Sequence, residues 1–399
     1  MFPDLKKVKE IARDADIKRV PVAAELYADR FTPVEILRIL RYAGRHCFLL
    51  ESASQDEQWG RYSFLGYDPT LVITCTNGYV TIRSLDRNTV VHKKVEHPKQ
   101  LLRDILSQYK SAVVEGFPPF TGGLVGYFAY DYLRYGEPKL KAGKKDHEDF
   151  NDMDLMLFDS VICFDHYKQK VILMTGVETK DLEKSYQQAQ IKLDQMKSLL
   201  KKGARKEMEP LCLLSDLTYE FTETEFEDIV KRARQYIHEG DIFQVVLSNP
   251  LRAKAKGSLF DTYRVLRTDN PSPYMFYFSG DDIEMAGSSP ETLAKLEQNK
   301  LFTFPLAGTR PRGHTYEEDK RLEEELLADE KERAEHNMLV DLGRNDIGRV
   351  ARIGSVKVEK YMEIERFSTV MHIGSTVTGI IHDKMDALDA LDSILPAGT

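Results

Sequence analysis

Apolar residues along this chain recur in two rhythms, alternate positions in some stretches and every third or fourth in others, which separates strands from helices. Thr32-Pro33-Val34-Glu35 reads as a capping box with proline at the first helical position, and Gly44 closes that helix. A strand-like run from His46 to Ser52 follows and ends in Leu49-Leu50-Glu51-Ser52. Leu71 to Ile82 is a hairpin, with β-forming residues alternating on either side of Asn77-Gly78. A helix near Lys99 to Tyr109 leads into the glycine-rich passage Gly116 to Tyr132, which lacks the ending of a phosphate loop and reads as closely packed backbone beside aromatic strands. Phe158 to Val177 is a further strand pair, and Lys180 to Leu200 has helical spacing.

Lys201 to Leu217 is polar at its start and weakly periodic, the best linker candidate. It divides the chain into an N-terminal region, 1–203, and a second region, 218–399. Beyond it, Thr222 to Glu225 opens a helix with Phe226, Ile229, Val230, Ala233, Tyr236 and Ile237 on one face, closed by Gly240. Ile242 to Ser248 reads as a buried strand. Gln244 is its oddity, because a long amide in an apolar strand must find partners, either core backbone or a site. Further strands are expected at Tyr274 to Phe278, Ile283 to Gly287, Thr292 to Glu297, Ile353 to Glu359 and Thr369 to Thr378. The strands come as meanders with helices between groups of them, which indicates an α+β fold with a large antiparallel sheet core.

Glu330 to Arg344 is the stretch with the clearest chemistry. Glu332 and Glu335 stand one helical turn apart on one face, and His336 follows at once. Asp329 is the expected N-cap and Gly343 the expected stop. Carboxylates presented this way are hard oxygen ligands suited to Mg²⁺, although acidic pairs on helices are more often solvated surface.

Composition narrows the function. The chain carries 56 basic and 64 acidic residues, a net charge of −8, and no basic stretch that would mark a nucleic-acid surface. No apolar run is long enough to cross a bilayer, and the polar N-terminus lacks a signal core, so neither a membrane nor a secreted setting is expected. The 4 cysteines (Cys47, Cys75, Cys163, Cys212) are widely spaced and read as buried free thiols of a cytoplasmic protein.

DIFQVVLS, NPSPYMFYF, GSSPE, PLAGTRPRG, KERAEHNMLVDLGRND and VMHIGS occur in one order along the chain. Together they resemble the chorismate-utilising enzymes, specifically the anthranilate-forming branch, over about Arg30 to Thr399. The resemblance implies a fold of antiparallel sheets sandwiched by helices and conversion of chorismate and ammonia to anthranilate and pyruvate. It assigns Glu335 as a Mg²⁺ ligand with Glu332 beside it, and Gly308 and Thr309 as the chorismate-contacting pair. Glu291 becomes the general acid for the leaving hydroxyl, and His372 a catalytic histidine. Water-adding relatives carry a lysine base at the position of Gln244, and a neutral amide there argues for ammonia as the nucleophile. Aminodeoxychorismate-forming relatives typically carry a nucleophilic lysine where this chain has Ala307. The resemblance further places a feedback site for L-tryptophan at the Leu49–Ser52 motif, with Ser52, Pro273, Tyr274 and Met275 as its contacts. Ammonia is expected from a glutamine amidotransferase subunit, which makes the assembly a hetero-oligomer.

The family continues beyond a motif such as Leu395-Pro396-Ala397-Gly398-Thr399, where this sequence ends. The continuing part holds the second Mg²⁺ glutamate, so these residues alone are expected to bind Mg²⁺ and chorismate poorly. An aminodeoxychorismate-forming subunit and a truncated, non-catalytic subunit that binds tryptophan or the amidotransferase remain as alternatives.

Overall fold

The computed structural model describes residues 1–52, 60–140, 150–205, 207–367 and 369–397. The last two residues of the Leu395–Thr399 motif therefore lie outside the described residues, as does part of the predicted linker.

Two antiparallel sheets face each other. The larger runs in the order Arg19–Tyr27, Lys170–Glu178, Ser160–Asp165, Tyr62–Tyr67, Cys47–Glu51, Tyr274–Ser279 and Glu284–Ser289. The smaller runs Thr89–Lys94, Tyr79–Ser84, Leu71–Thr76, Met153–Phe158 and Gly123–Phe128. Phe48, Met156, Phe158, Val161, Met174 and Phe278 fill the layer between them. The outer face of the larger sheet is covered by helices Pro33–Ala43, Leu182–Lys202 and Phe260–Asp269, whose Ile36, Leu37, Leu193, Met196 and Tyr263 join Leu49, Leu173 and Tyr277 in a second core. Helix Lys99–Gln108 covers the smaller sheet through Leu101, Leu102 and Ile105. The expected sandwich of antiparallel sheets and helices is the fold observed.

A third sheet, in the order Lys295–Glu297, Lys300–Thr303, Val370–Ile380 and Leu306–Pro311, with Lys357–Arg366 paired to Val370–Ile380, carries the remaining motifs. Helix Glu330–Gly348 packs across it. The proposed division at 203 and 218 does not divide the core, because Tyr274–Ser279 and Glu284–Ser289 complete the sheet begun by the first region. Helix Ala387–Ile394 likewise returns to the first region, where Arg103 bonds Asp386 and Asp389 at 2.7 and 2.5 Å.

Four local expectations are corrected. Ile242 to Ser248 forms no strand: the segment is irregular, with Phe243 88% and Val246 72% exposed, because no neighbouring strand among the described residues pairs with it. Helix Glu223–Glu239 forms where expected, opened by a Thr222/Glu225 capping box, yet none of the residues on its apolar face is buried. Cys47, Cys75 and Cys163 are buried, but Cys212 is exposed on a two-residue strand. The strand expected from Ile353 starts at Lys357, and Ile353 is fully exposed. Among the described residues no helix is long and apolar enough to cross a membrane.

Candidate functional site

The acidic helix begins as its residues require. The Asp329 side chain accepts hydrogen bonds from the backbone N–H groups of Lys331 and Glu332, at 3.0 and 3.2 Å, satisfying amides that have no partner within the helix. Arg310 reaches across from strand Leu306–Pro311 to bond Asp329 at 2.9 Å, and its other terminal nitrogen lies 3.8 Å from Glu332. The helix does not stop at Gly343 but runs to Gly348. Gly343 is buried inside it, and a Cβ there would stand 3.0 Å from the Thr303 methyl. This glycine permits close approach of helix to sheet and caps nothing.

Strand Leu306–Pro311 bulges between Ala307 and Thr309 where it pairs with Val370–Ile380. Gly308 sits at φ +69 in this bulge, a left-handed conformation that glycine adopts without steric cost. A side chain at Gly308 would come within 3.2 Å of a Glu332 carboxylate oxygen. The bulge aligns Thr309 with His372: their Oγ1 and Nδ1 are 3.0 Å apart, and Nδ1 is also 2.9 Å from the Gly308 carbonyl oxygen. A carbonyl only accepts, so Nδ1 carries the ring proton and Nε2 is left as the basic nitrogen. The Phe367 ring stands edge-on to the imidazole at 5.4 Å. Gly308, Thr309, His372 and Glu332 are thus brought together from three separate elements, with Glu335 on the next turn of the same helix.

Glu291 lies farther along. It sits in the turn after strand Glu284–Ser289, its backbone N–H donating to Ser289 Oγ at 3.3 Å. It lines a cavity of about 250 Å³ with Thr303, Pro305, Leu339, Leu342 and Asp346. Residues 332, 335, 339, 342 and 346 form one stripe of the acidic helix, so the paired carboxylates and this cavity occupy consecutive turns of one surface. Asp346 escaped the sequence reading although its Arg344-Asn345-Asp346 motif was visible; burial pushes its carboxyl up to about 6 against the opposing charge of Arg349. Gln244 does not join this group, being exposed on the irregular segment described above.

His336, adjacent to Glu335, faces the opposite way. It is fully buried, and its Nε2 lies 2.6 Å from Ser375 Oγ. The same hydroxyl also accepts from the Met362 N–H. Burial alone pushes this imidazole down to about 4.

The second motif group is also assembled. Strand Cys47–Glu51 pairs with Tyr274–Ser279, with Met275 opposite Glu51 and Phe276 opposite Leu50. Glu51 and Ser52, neighbours in the Leu49–Ser52 motif, part company in the structure. The Glu51 carboxylate is turned to helix Phe260–Asp269, where Tyr263 Oη and Arg267 Nε each donate to it at 2.6 Å. Strand alternation puts Met275 on that buried face, and Tyr274, with Leu50 and Ser52, on the other. The Tyr274 hydroxyl accepts from Thr292 Oγ1 at 2.5 Å.

Two carboxylates one turn apart are a donor set that fits Mg²⁺, which is commonly held by one or two carboxylates, waters and a substrate oxygen. The bare Cα of Gly308 keeps the space beside Glu332 open. Among the described residues no group of 3 or more candidate ligands could by itself enclose a metal.

Anthranilate synthase component 1 of Aquifex aeolicus is 42% identical over 406 residues, covering 99% of this chain and 80% of that protein. Anthranilate synthase alpha subunit 1, chloroplastic, of Arabidopsis thaliana is 38% identical over 423 residues, covering 99% of this chain and 70% of that protein. The crystal structure of anthranilate synthase component I from Streptococcus pneumoniae TIGR4 superposes with a TM-score of 0.73 at 34% identity, covering 94% of this chain and 80% of that one. The menaquinone-specific isochorismate synthase MenF of Escherichia coli shares the fold at 16% identity and a TM-score of 0.63. The family described as chorismate binding enzyme matches residues 45–399, and the chain belongs to it.

Proposed function

We propose that the chain converts chorismate and ammonia to anthranilate and pyruvate, as a lyase at the first step of tryptophan biosynthesis. The observation that carries this reading is the 42% identity to an anthranilate synthase component 1 across 99% of the chain. Ammonia forms a carbon–nitrogen bond on the ring as the ring hydroxyl leaves, taking a proton from the Glu291 carboxyl. Loss of the ring proton then expels the enolpyruvyl group as pyruvate and makes the ring aromatic. Thr309 and the Gly308 backbone hold the substrate, and His372, with its proton fixed on Nδ1, offers Nε2 to a transferring proton. Glu335 and Glu332 would hold Mg²⁺, which supplies Lewis-acid polarisation of a bound carboxylate.

Ammonia is supplied by a glutamine amidotransferase partner, an anthranilate synthase component II, in a cytoplasmic hetero-oligomer. Tryptophan binds at the Leu50, Ser52 and Tyr274 face as feedback inhibitor. A non-catalytic subunit that binds tryptophan or the amidotransferase is the competing reading, favoured by one observation: Gln244 stands exposed, apart from the Thr309–His372 pair. An aminodeoxychorismate-forming activity is disfavoured by Ala307. Incubation with chorismate, ammonium chloride and MgCl₂, followed by chromatography of the products, separates the three. Anthranilate that disappears when Mg²⁺ is chelated supports the reading; aminodeoxychorismate, or no product alongside tight tryptophan binding, replaces it.

A further inference from the structure

Arg310 follows Gly308 and Thr309 on the bulged strand, and its guanidinium spans the gap from that strand to the start of helix Glu330–Gly348. One terminal nitrogen, Nη1, donates to the Thr309 carbonyl oxygen at 2.9 Å and lies 3.8 Å from Glu332 Oε1. The other, Nη2, donates to Asp329 Oδ2 at 2.9 Å. Asp329 uses its remaining oxygen, Oδ1, on the backbone N–H groups of Lys331 and Glu332. The aspartate thus fixes the first turn of the helix with one oxygen and ties that turn to the strand with the other.

The same guanidinium turns the Glu332 carboxylate. Oε1 faces Arg310, while Oε2 is the atom that a Cβ at Gly308 would meet at 3.2 Å. Among the described residues no second cation pairs with Glu332. A glutamate side chain is long and flexible, and without that cation it is free to swing toward water. Arg310 is only 26% exposed, so its ion pairs are less screened than pairs at the surface. A planar fork reaches a carbonyl, an aspartate and a glutamate at once, which the single ammonium of lysine cannot do.

Given the function proposed above for this site, we propose that Arg310 is a positioning residue of the anthranilate-forming reaction. It aims Glu332 Oε2 at the Gly308–Thr309 turn and sets the spacing between the strand that grips substrate and the helix whose carboxylates would grip Mg²⁺.

Arg310→Gln and Arg310→Lys are compared with the unchanged protein in two measurements, with Tm as the control on folding. One is the Mg²⁺ and chorismate dependence of anthranilate formation; the other is calorimetric titration with MgCl₂ in the presence of chorismate and the absence of ammonia. Removing a group that orients a metal ligand costs about 10- to 100-fold in metal affinity. Arg310→Gln should weaken Mg²⁺ by about that factor in both measurements, with the KM for chorismate changed less than about threefold. Arg310→Lys, which keeps a cation beside Asp329, should fall between the two and carries the test if Arg310→Gln does not fold. A purely structural arginine would lower Tm and leave Mg²⁺ affinity unchanged, and that result overturns the inference. If the unchanged protein binds Mg²⁺ but makes no anthranilate, the proposed reaction fails and the calorimetric comparison alone decides the role of Arg310. Absence of Mg²⁺ binding by the unchanged protein overturns both.

Discussion

Thr309 Oγ1 and His372 Nδ1 lie 3.0 Å apart across a bulged pair of antiparallel strands, although 62 residues separate them in the chain. The bulge at Gly308 makes this possible, because it adds a residue where a regular ladder would turn Thr309 to the other face. Thr309→Val should therefore keep the fold, costing about 1 kcal/mol, since His372 retains its bond to the Gly308 carbonyl. His372→Ala should lower anthranilate formation on the order of 100-fold. Urea unfolding and steady-state rates on both variants check this pair of outcomes; a large stability loss in Thr309→Val would mean the hydroxyl is structural.

Ser52 follows strand Cys47–Glu51 on the face shared with Leu50 and Tyr274, while Glu51 is committed to Tyr263 and Arg267. Ser52→Arg should therefore abolish tryptophan binding with little change in stability. Glu51→Ala should destabilise by about 2–4 kcal/mol, because it strips a buried partner from a tyrosine and an arginine. Calorimetric titration with tryptophan decides the first point, and unchanged affinity in Ser52→Arg would remove the site from this surface.

The Arg103 guanidinium bonds Asp386 and Asp389, tying helix Ala387–Ile394 to helix Lys99–Gln108. Burial works against ionisation of Asp386, but the hydrogen bond from Arg103 and the backbone N–H groups of the capping box hold its pKa below the ordinary value. A lowered carboxyl contributes stability that is present above the unfolded pKa, near 4, and is lost as pH falls through the folded value. Arg103→Met should cost about 1–3 kcal/mol at neutral pH and flatten the acid limb of the stability profile. Denaturation midpoints from pH 7 to pH 3 on both proteins test this, and parallel profiles would show that the pair contributes nothing.

His336 gives the opposite case for a base. Its imidazole is buried neutral and pushed down to about 4, whereas the unfolded chain titrates near 6.5. Stability is full above the unfolded value and falls as pH drops below it, because the unfolded state takes up the proton first. The loss should reach on the order of 2 kcal/mol by pH 5. His336→Phe should remove that slope between pH 6.5 and 4, at the cost of leaving Ser375 without its partner. Urea denaturation at pH 7 and pH 5 reads both effects.

Local chemistry was legible in the residues themselves. The Asn77-Gly78 turn, the helix start at Thr222 to Glu225 and the Asp329 N-cap each form as read, because each closes hydrogen bonds within a few residues and needs nothing distant. The alternation of apolar and polar positions also determined the α+β class, and the motif order identified the family. Tertiary structure decided everything that depends on what covers a residue. Ile242 to Ser248 has a buried strand's composition, yet a strand exists only with a partner to accept its hydrogen bonds, and Gln244 lies exposed for want of one. Gly343 reads as a helix stop and is instead a contact point, since the helix runs on through it to Gly348 and packs it against Thr303. Glu51 and Ser52 are neighbours in the chain and opposites in the sheet, because successive strand residues point to opposite faces. The identities of the site residues belong to the sequence; their meeting at Gly308, Thr309, His372 and Glu332 belongs to the strand register and one bulge.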